Sequence, residues 1–344
     1  MQEMLREIAA NGPLCTSFYL DTIEAMSSGG EDHAQGLART HLLSDKKTVY
    51  FFQSNSHING LGTISQYRYV GPLDGEHVKT DHPTLYVALM TQLMSLVGED
   101  HPSDIVFLPE LSHLDAGYLF VAAEYGWHNV SVYYWQPGKD LLMIGKVTQS
   151  LSNTYPGSTT PKGPNLLLLD RVGDTYFLGA ASTNWGNGYL FTASADALFP
   201  NCKPGGMNVS AFTLAPSSAL ASHATDGQFD LPVGNSDSPS QTKLVRDSSN
   251  AWFMLAFRSD SSADDHGTDY IDAYPVQFNP FVINTPPVTV HVVFPSGETG
   301  FANTGTHYVD GTGRLLVSSS YRWSENKGPG GSAYVSRVDE CPSS

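Results

Sequence analysis

The sequence predicts an all-β fold: a five-bladed β-propeller closed by an N-terminal strand that completes the last blade. Three observations predict it. The chain of 344 residues is rich in turn and aromatic residues, with 32 Gly, 21 Pro, 17 Tyr and 16 Phe. Five segments repeat one layout of strands. The fifth segment lacks an outer strand, whereas the N-terminal region has a spare one.

The most regular part of the repeat is its second strand, which is strongly apolar. The second strands are predicted at 48–52, 117–121, 175–179, 251–255 and 314–318. Around them, residues 1–344 divide into blades at about 36–95, 103–150, 163–215, 240–295 and 303–340, the last completed by a strand at about 16–24. An open pair of β-sandwiches is the main alternative, and five similar units with a donated terminal strand fit it poorly.

The remaining strands follow from the same alignment of the repeats. First strands are predicted at 40–44, 104–108, 165–169, 242–246 and 306–310. Third strands are predicted at 62–67, 130–135, 188–192, 269–274 and 333–337, and outer strands at 84–90, 141–147, 208–214 and 288–294. In a propeller the first strand of each blade lines the central channel, so we expect binding groups on these strands and on the hairpins between second and third strands.

The cysteines predict a covalent closure of the ring. Antiparallel pairing of the donated strand with the last one places Cys15 beside Cys341, so we expect a disulfide there and an unpaired Cys202; two free thiols are the alternative. A structural disulfide indicates an oxidising compartment. Glycosylation sequons at Asn129 and Asn208 agree with a secretory or extracellular protein, although no signal peptide is visible in the sequence.

The charge of the chain excludes two classes of partner. The formal net charge is −16, which repels the phosphates of nucleic acids and the surface of anionic membranes. No apolar run approaches the roughly 20 residues of a membrane helix. The tryptophans at the tips of the predicted hairpins instead indicate a small apolar or aromatic molecule as the partner.

The predicted channel carries several possible hydrogen-bond donors. His41, His307 and Lys243 lie on predicted first strands, with Arg39 just upstream of one of them and Asp104 at the start of another. The imidazoles and the ammonium could donate to a carbonyl or an oxyanion, or they could simply bind channel water and main-chain carbonyls.

Aromatic residues recur at the tips of the predicted hairpins. Trp127, Trp185 and Trp323, with Tyr125, could form the walls of a ligand site, or each could cap the neighbouring blade. The segment 264–269 is acidic but lacks the spacing of a calcium loop, so a solvated loop is expected there and no metal or cofactor is predicted.

The five-unit layout resembles tachylectin-like lectins and five-bladed glycosidases. A glycosidase needs several acids on its first strands, whereas only Asp104 is so placed, and fucose lectins repeat an Arg, Glu and Trp set that is absent here. In length, layout and terminal cysteine pair the chain also resembles the fungal propellers that act as hetero-Diels–Alderases in tropolonic sesquiterpenoid biosynthesis.

That resemblance implies a cofactor-independent cyclase. Such an enzyme joins a polyene such as humulenol to an o-quinone methide by holding both partners in one apolar pocket. His41, His307, Lys243 and Arg39 would donate to the quinone-methide oxygen. A carbohydrate-binding lectin is the alternative, and a glycosidase-like or non-enzymatic interaction propeller is the second alternative.

Overall fold

A computed structural model describes the fold of the chain in twenty segments. They are residues 14–22, 33–41, 43–46, 48–56, 62–70, 92–95, 102–110, 115–123, 129–148, 163–182, 187–201, 203–221, 227–232, 239, 241–246, 249–259, 269–293, 300–309, 315–320 and 333–340. For the strands at 14–22, 92–95, 300–309, 315–320 and 333–340 the description covers the backbone and its pairing.

The chain is all-β, and it forms several antiparallel sheets. After the N-terminal strand β1 (Leu14–Thr22), the first meander contains β2 (His33–Arg39), β3 (Thr48–Ser56), β4 (Thr63–Val70) and β5 (Gln92–Ser95). The second contains β6 (Pro102–Pro109), β7 (Gly117–Ala123), β8 (Asn129–Trp135) and β9 (Leu142–Thr148). The third contains β10 (Leu166–Val172), β11 (Thr175–Ser182), β12 (Asn187–Ser194) and β13 (Thr213–Leu214).

Two further meanders share the largest sheet. They are β15 (Gln241–Arg246), β16 (Trp252–Ser259), β17 (Asp269–Phe278) and β19 (Val288–Val293), followed by β20 (Gly300–Val309), β21 (Leu315–Ser320) and β22 (Ala333–Glu340). Short elements complete the description: β14 (Gln228–Asp230) beside β12, β18 (Phe281–Ile283) beside β17, helix α1 (Ala195–Leu198), and single 3₁₀ turns at Val209–Ala211 and Ser217–Ala219. No helix in the described part of the chain is long and apolar enough to cross a membrane.

The N-terminal strand pairs with the C-terminal strand, as the sequence predicts. β1 runs antiparallel to β22, from Leu14 opposite Glu340 to Thr22 opposite Ala333. It also pairs in parallel with β19, where Leu14 lies opposite Val292, and this contact joins the fourth and fifth meanders into one sheet.

The predicted disulfide lies at this junction. Cys15 is opposite Asp339, two residues before Cys341. Cys341, Cys202 and the side chain of Cys15 lie outside the described residues, so the Cys15–Cys341 link stays a prediction.

The first strand of each meander contacts the first strand of the next meander along the chain, and the fifth contacts the first. β2 contacts β6, β6 contacts β10, β10 contacts β15, β15 contacts β20, and β20 contacts β2. Each meander thus presents its first strand to a common interior.

Neighbouring meanders pack through apolar sheet faces. Every residue of β7 is buried, because its faces contact the meanders before and after it. Between the first two meanders, Trp135 is fully buried and lies edge-on to Phe52 and Phe107, with ring centroids 5.2 and 5.8 Å apart. The indole N–H of Trp135 donates to Gln66 Oε1 at 2.5 Å, which satisfies the only polar atom of the side chain.

A buried carboxyl connects the second and third meanders. Glu110 follows β6 and is only 2% exposed. Its oxygens accept hydrogen bonds from the hydroxyls of Tyr118 (3.1 Å) and Tyr134 (3.0 Å) and from the main-chain N–H of Gly205 (3.0 Å). Burial, followed by the effect of this carboxyl, raises the pKa of Tyr118, and burial with the hydrogen bond to Glu110 raises that of Tyr134 to about 12. Both phenols therefore remain donors at neutral pH.

The first strand of the first meander lies earlier than predicted. It spans His33–Arg39 instead of 40–44, and the N–H of the next residue, Thr40, donates to the carbonyl of Tyr50 at 2.9 Å. The chain then turns, because the N–H of Leu43 donates to the carbonyl of Thr48. His41 thus lies beyond the strand that was predicted to carry it.

Two outer strands also differ from prediction. The fourth strand of the first meander is Gln92–Ser95, while the whole of the predicted range 84–90 lies outside the described residues. In the third meander only Thr213–Leu214 of the range 208–214 is a strand, because a 3₁₀ turn occupies Val209–Ala211.

Candidate functional site

A cavity of about 260 Å³ lies between the first strands of the first four meanders. Its apolar walls come from Ala38, Ile105, Val106, Phe107, Leu108, Pro109, Leu167, Leu169 and Leu244. Three ionisable side chains complete the lining: Arg39, Asp170 and Lys243. The cavity thus offers polar and apolar surface in about equal measure, with two cations and one carboxyl among its side chains.

The cationic side of the cavity is fixed by a buried ion pair. Lys243 Nζ lies 2.5 Å from Asp104 Oδ1, and the two side chains are 7% and 0% exposed. The same carboxylate accepts from Gln241 Nε2 (2.9 Å) and from the main-chain N–H groups of Ile105 and Leu167 (2.8 Å each). Asp104 therefore links the first strands of three meanders, β6, β10 and β15.

The surroundings of Asp104 act on its pKa in opposite directions. Burial raises the pKa of this carboxyl, and the ammonium of Lys243 with two main-chain N–H groups opposes the rise. Two of the three N–H donors of Lys243 are used: one binds Asp104, and one binds the carbonyl oxygen of Ile105, 3.1 Å from Nζ. Within the described part of the chain these are its acceptors, which leaves a third donor for an oxygen atom inside the cavity.

Arg39 and His41 have different relations to the cavity. Arg39 lines it, and its Nη1 donates to the carbonyl of Thr40 at 3.0 Å. His41 is not part of the lining. Its half-buried ring lies edge-on to Phe107, with centroids 6.4 Å apart.

Asp170 was not a predicted site residue, yet it supplies the carboxyl of the cavity. Burial raises its pKa to about 6, while a hydrogen bond from the N–H of Arg171 (2.6 Å) and the charge of Arg246 act against the rise. A signal was present in the sequence, because Asp170 is the first charged residue after four consecutive leucines of a buried first strand.

Replacing Asp170 by Asn is expected to stabilise the protein at pH 7.5. The raised pKa means that the fold favours the protonated acid, so its contribution to stability is complete below pH 3.8 and is lost as the pH rises through about 6. We expect Asp170→Asn to unfold with a free energy about 1–2 kcal/mol higher than the parent at pH 7.5. Urea unfolding of both proteins at pH 4.5 and 7.5 measures the effect; a variant that is less stable at pH 7.5 would contradict it.

Several predicted site residues lie outside the description. They are Tyr125, Trp127, Trp185, Trp323 and the side chain of His307. Of the two sequons, Asn208 is exposed and its Oδ1 accepts from Ser210 Oγ at 2.7 Å, whereas Asn129 begins β8 and is 8% exposed. Within the described segments, no three His, Cys, Asp or Glu side chains come together as metal ligands.

Known proteins resemble this chain in structure but not in sequence. No family model and no curated protein matches it. A family 117 glycoside hydrolase of Zobellia galactanivorans is 12% identical, with a TM-score of 0.50 over 96% of this chain and 91% of that one. The GH43_1 enzyme of Xanthomonas citri in complex with xylose is 9% identical (TM-score 0.48, 98% and 96%), and a GH32 β-fructofuranosidase of Bombyx mori with sucrose is 10% identical (TM-score 0.49, 98% and 67%).

At such identities a likeness speaks for the fold alone. The likeness to the Zobellia galactanivorans hydrolase, which has a TM-score of 0.50, agrees with the all-β arrangement of antiparallel sheets described above.

Proposed function

We propose that the protein is a closed five-bladed β-propeller that holds one small molecule in the cavity between its first strands. The contacts of β2, β6, β10, β15 and β20 in a ring support the five-bladed architecture, as does the pairing of β1 with β22. Such closure leaves no unpaired edge between the first and last blades.

The cavity is the observation that carries the functional proposal. At about 260 Å³ it is slightly smaller than the 300–1,000 Å³ that drug-sized ligands occupy. Its ligand is therefore one compact molecule, with an apolar body against residues such as Phe107 and Leu169 and an oxygen acceptor at Lys243.

Glycoside hydrolysis is the second candidate, favoured by the fold and by Asp170. A carboxyl with a pKa of about 6 suits a proton donor to a leaving oxygen near neutral pH. Hydrolysis also needs a second carboxylate on the other side of the bond. The other carboxylate on the described first strands is Asp104. Both of its oxygens already accept hydrogen bonds, from Lys243, from the amide of Gln241 and from the N–H of Leu167, so it is poorly placed to act on a substrate. The binding proposal therefore stands ahead of the hydrolase.

The hetero-Diels–Alder reaction predicted by resemblance is a narrower form of the same proposal. Lys243 and Arg39 are supported as donors to a carbonyl-type oxygen by their place in the cavity lining. The volume weighs against it, because a sesquiterpene polyene and a quinone methide together need more than the space between the described residues.

One titration series separates these functions. We expect benzamide, a compact aromatic molecule with an oxygen acceptor, to bind with a stoichiometry of one per chain. Leu244→Trp places a large ring in the cavity and should weaken binding at least about tenfold, whereas Leu142→Trp, at a position 60% exposed on β9, should leave it unchanged.

The same two variants classify any activity that is found. Release of nitrophenol from aryl glycosides that is lost in Leu244→Trp would support hydrolysis, and a stereoselective humulenol adduct lost in the same variant would support the cyclase. Several glycans bound per chain, equally in both variants, would overturn the single-site proposal in favour of a lectin.

A further inference from the structure

The charges of the cavity point to the class of molecule that it binds. We propose that the cavity takes an organic oxyanion, such as a small aromatic carboxylate or phenolate, and that Asp170 takes up a proton when the anion enters. The inference rests on the proposed function, in which this cavity is the ligand site.

An oxygen atom of the ligand would bind to Lys243 and Arg39. The carboxylate of Asp104 and the carbonyl of Ile105 hold the ammonium of Lys243 in place and use two of its three donors. This ion pair fixes the position of the ammonium at the cavity, where it can attract the negative charge of a ligand. Together with Arg39 it offers charge-assisted hydrogen bonds, which an anionic oxygen accepts more strongly than a neutral one.

The carboxyl of Asp170 lines the same cavity. Asp170 and an anionic ligand would share about 260 Å³, and two like charges at such separations disfavour each other in a partly buried site. Protonation of Asp170 removes the repulsion and adds one donor. Anion entry thus raises the pKa of Asp170 further from its value of about 6, so binding consumes a proton near neutral pH.

The other ionisable groups described around Asp170 are three arginines, a lysine and a tyrosine. Arg246 faces it from β15, Arg171 binds it through the main-chain N–H, and Tyr176 lies near it on β11. Arg39 and Lys243 share the cavity lining with it. Asp170 is the carboxyl among the described residues of the lining, so replacing it isolates the pH dependence that we propose.

The test compares benzoate with benzamide, which have the same shape and differ in charge. Calorimetric titration of the complete chain at pH 5.5, 6.5 and 7.5 should show benzoate binding more tightly than benzamide at pH 5.5. The affinity for benzoate should fall about tenfold by pH 7.5, while that for benzamide changes little. Titrations in two buffers of different ionisation enthalpy should show uptake of up to one proton with benzoate.

Two variants complete the test. Asp170→Asn should bind benzoate at pH 7.5 as tightly as the parent binds it at pH 5.5, with no proton uptake. Arg39→Met, whose folding is checked by urea unfolding, should lose the preference for benzoate over benzamide while still binding benzamide.

The outcomes separate this inference from the proposed function. Equal binding of benzoate and benzamide, weakened in Leu244→Trp, overturns the oxyanion inference and leaves the cavity as the ligand site. A pH dependence that persists in Asp170→Asn also overturns it. Binding of neither molecule contradicts both proposals.

Discussion

Lys243→Met is expected to lower the free energy of unfolding by about 3–5 kcal/mol. The substitution removes the ammonium that lies 2.5 Å from Asp104 and leaves that carboxylate buried with 0% of its side chain exposed. A charge that loses its partner in such surroundings retains its desolvation penalty without the attraction that offset it. Urea unfolding monitored by tryptophan fluorescence at pH 7 measures the loss.

A double-mutant cycle separates the pair from its surroundings. Asp104→Ala should be similarly destabilising, because the N–H of Leu167 and the amide of Gln241 also lose their acceptor. The variant that combines Asp104→Ala with Lys243→Met should be less destabilised than the sum of the single variants, since no lone charge remains. Strict additivity would mean that the two side chains do not interact in the folded protein.

An exposed ion pair of the same chain provides the control. Arg171 Nη2 lies 3.0 Å from Asp174, and their side chains are 35% and 95% exposed. Because water and ions screen such a pair, Asp174→Asn should change stability by less than about 1 kcal/mol. If Lys243→Met were as mild as this control, the buried pair would not hold the first strands together.

The strands that the sequence predicts well are those with continuous apolar runs. Residues 117–121 can be recognised as a strand from the sequence. β7 is buried on both faces, so every position in it is apolar or small. β2 has no such run, because the sequence of His33–Arg39 reads HAQGLAR. The apolar pair 42–43 next to it favours a strand at 40–44 instead. β2 forms because β3 and β6 supply its pairing and packing, and such contacts are not local in the sequence.

The candidate site could be predicted only in its components. Asp104, Lys243 and Arg39 were chosen because they lie on or beside first strands, and two of them line the cavity. That Asp104 and Lys243 form a pair requires a distance between residues 139 positions apart, which no spacing in the sequence encodes. Asp170 was missed because a lone acid near the end of a strand is usually solvated; its raised pKa comes from burial by the neighbouring meanders.

Gly36→Ala is the second substitution with a large expected effect, because the backbones of β2 and β6 leave no room for a side chain at this position. Gly36 lies within the register shift between Ala34 and Leu37. A Cβ there would fall 2.2 Å from the carbonyl oxygen of Ser103 and 2.8 Å from the N–H of Ile105. Both atoms belong to the backbone of β6, so a side-chain rotation cannot relieve the overlap.

The same methyl group would disturb the hydrogen bonds that join the strands. Ser54 Oγ accepts from the N–H of Gly36 at 2.7 Å and donates to the carbonyl of Ser103 at 2.5 Å, and the added Cβ would lie 2.8 Å from this oxygen. We expect Gly36→Ala to destabilise the protein by about 3–4 kcal/mol, through overpacking and loss of these buried bonds.

The separation of β2 from β6 also links this substitution to the cavity, since Arg39 comes from one strand and Phe107 from the other. Benzamide affinity should therefore fall in Gly36→Ala even where the variant remains folded.

Gly173→Ala is the matched control. The φ of Gly173 is +59° and no atom lies within 4 Å of the new Cβ, so only backbone strain of about 1 kcal/mol is expected, with benzamide affinity unchanged. Urea unfolding and calorimetry on both variants decide the matter. Equal losses of stability in the two alanine variants, with affinity preserved in both, would mean that β2 and β6 can separate by the width of a methyl group without consequence for the site.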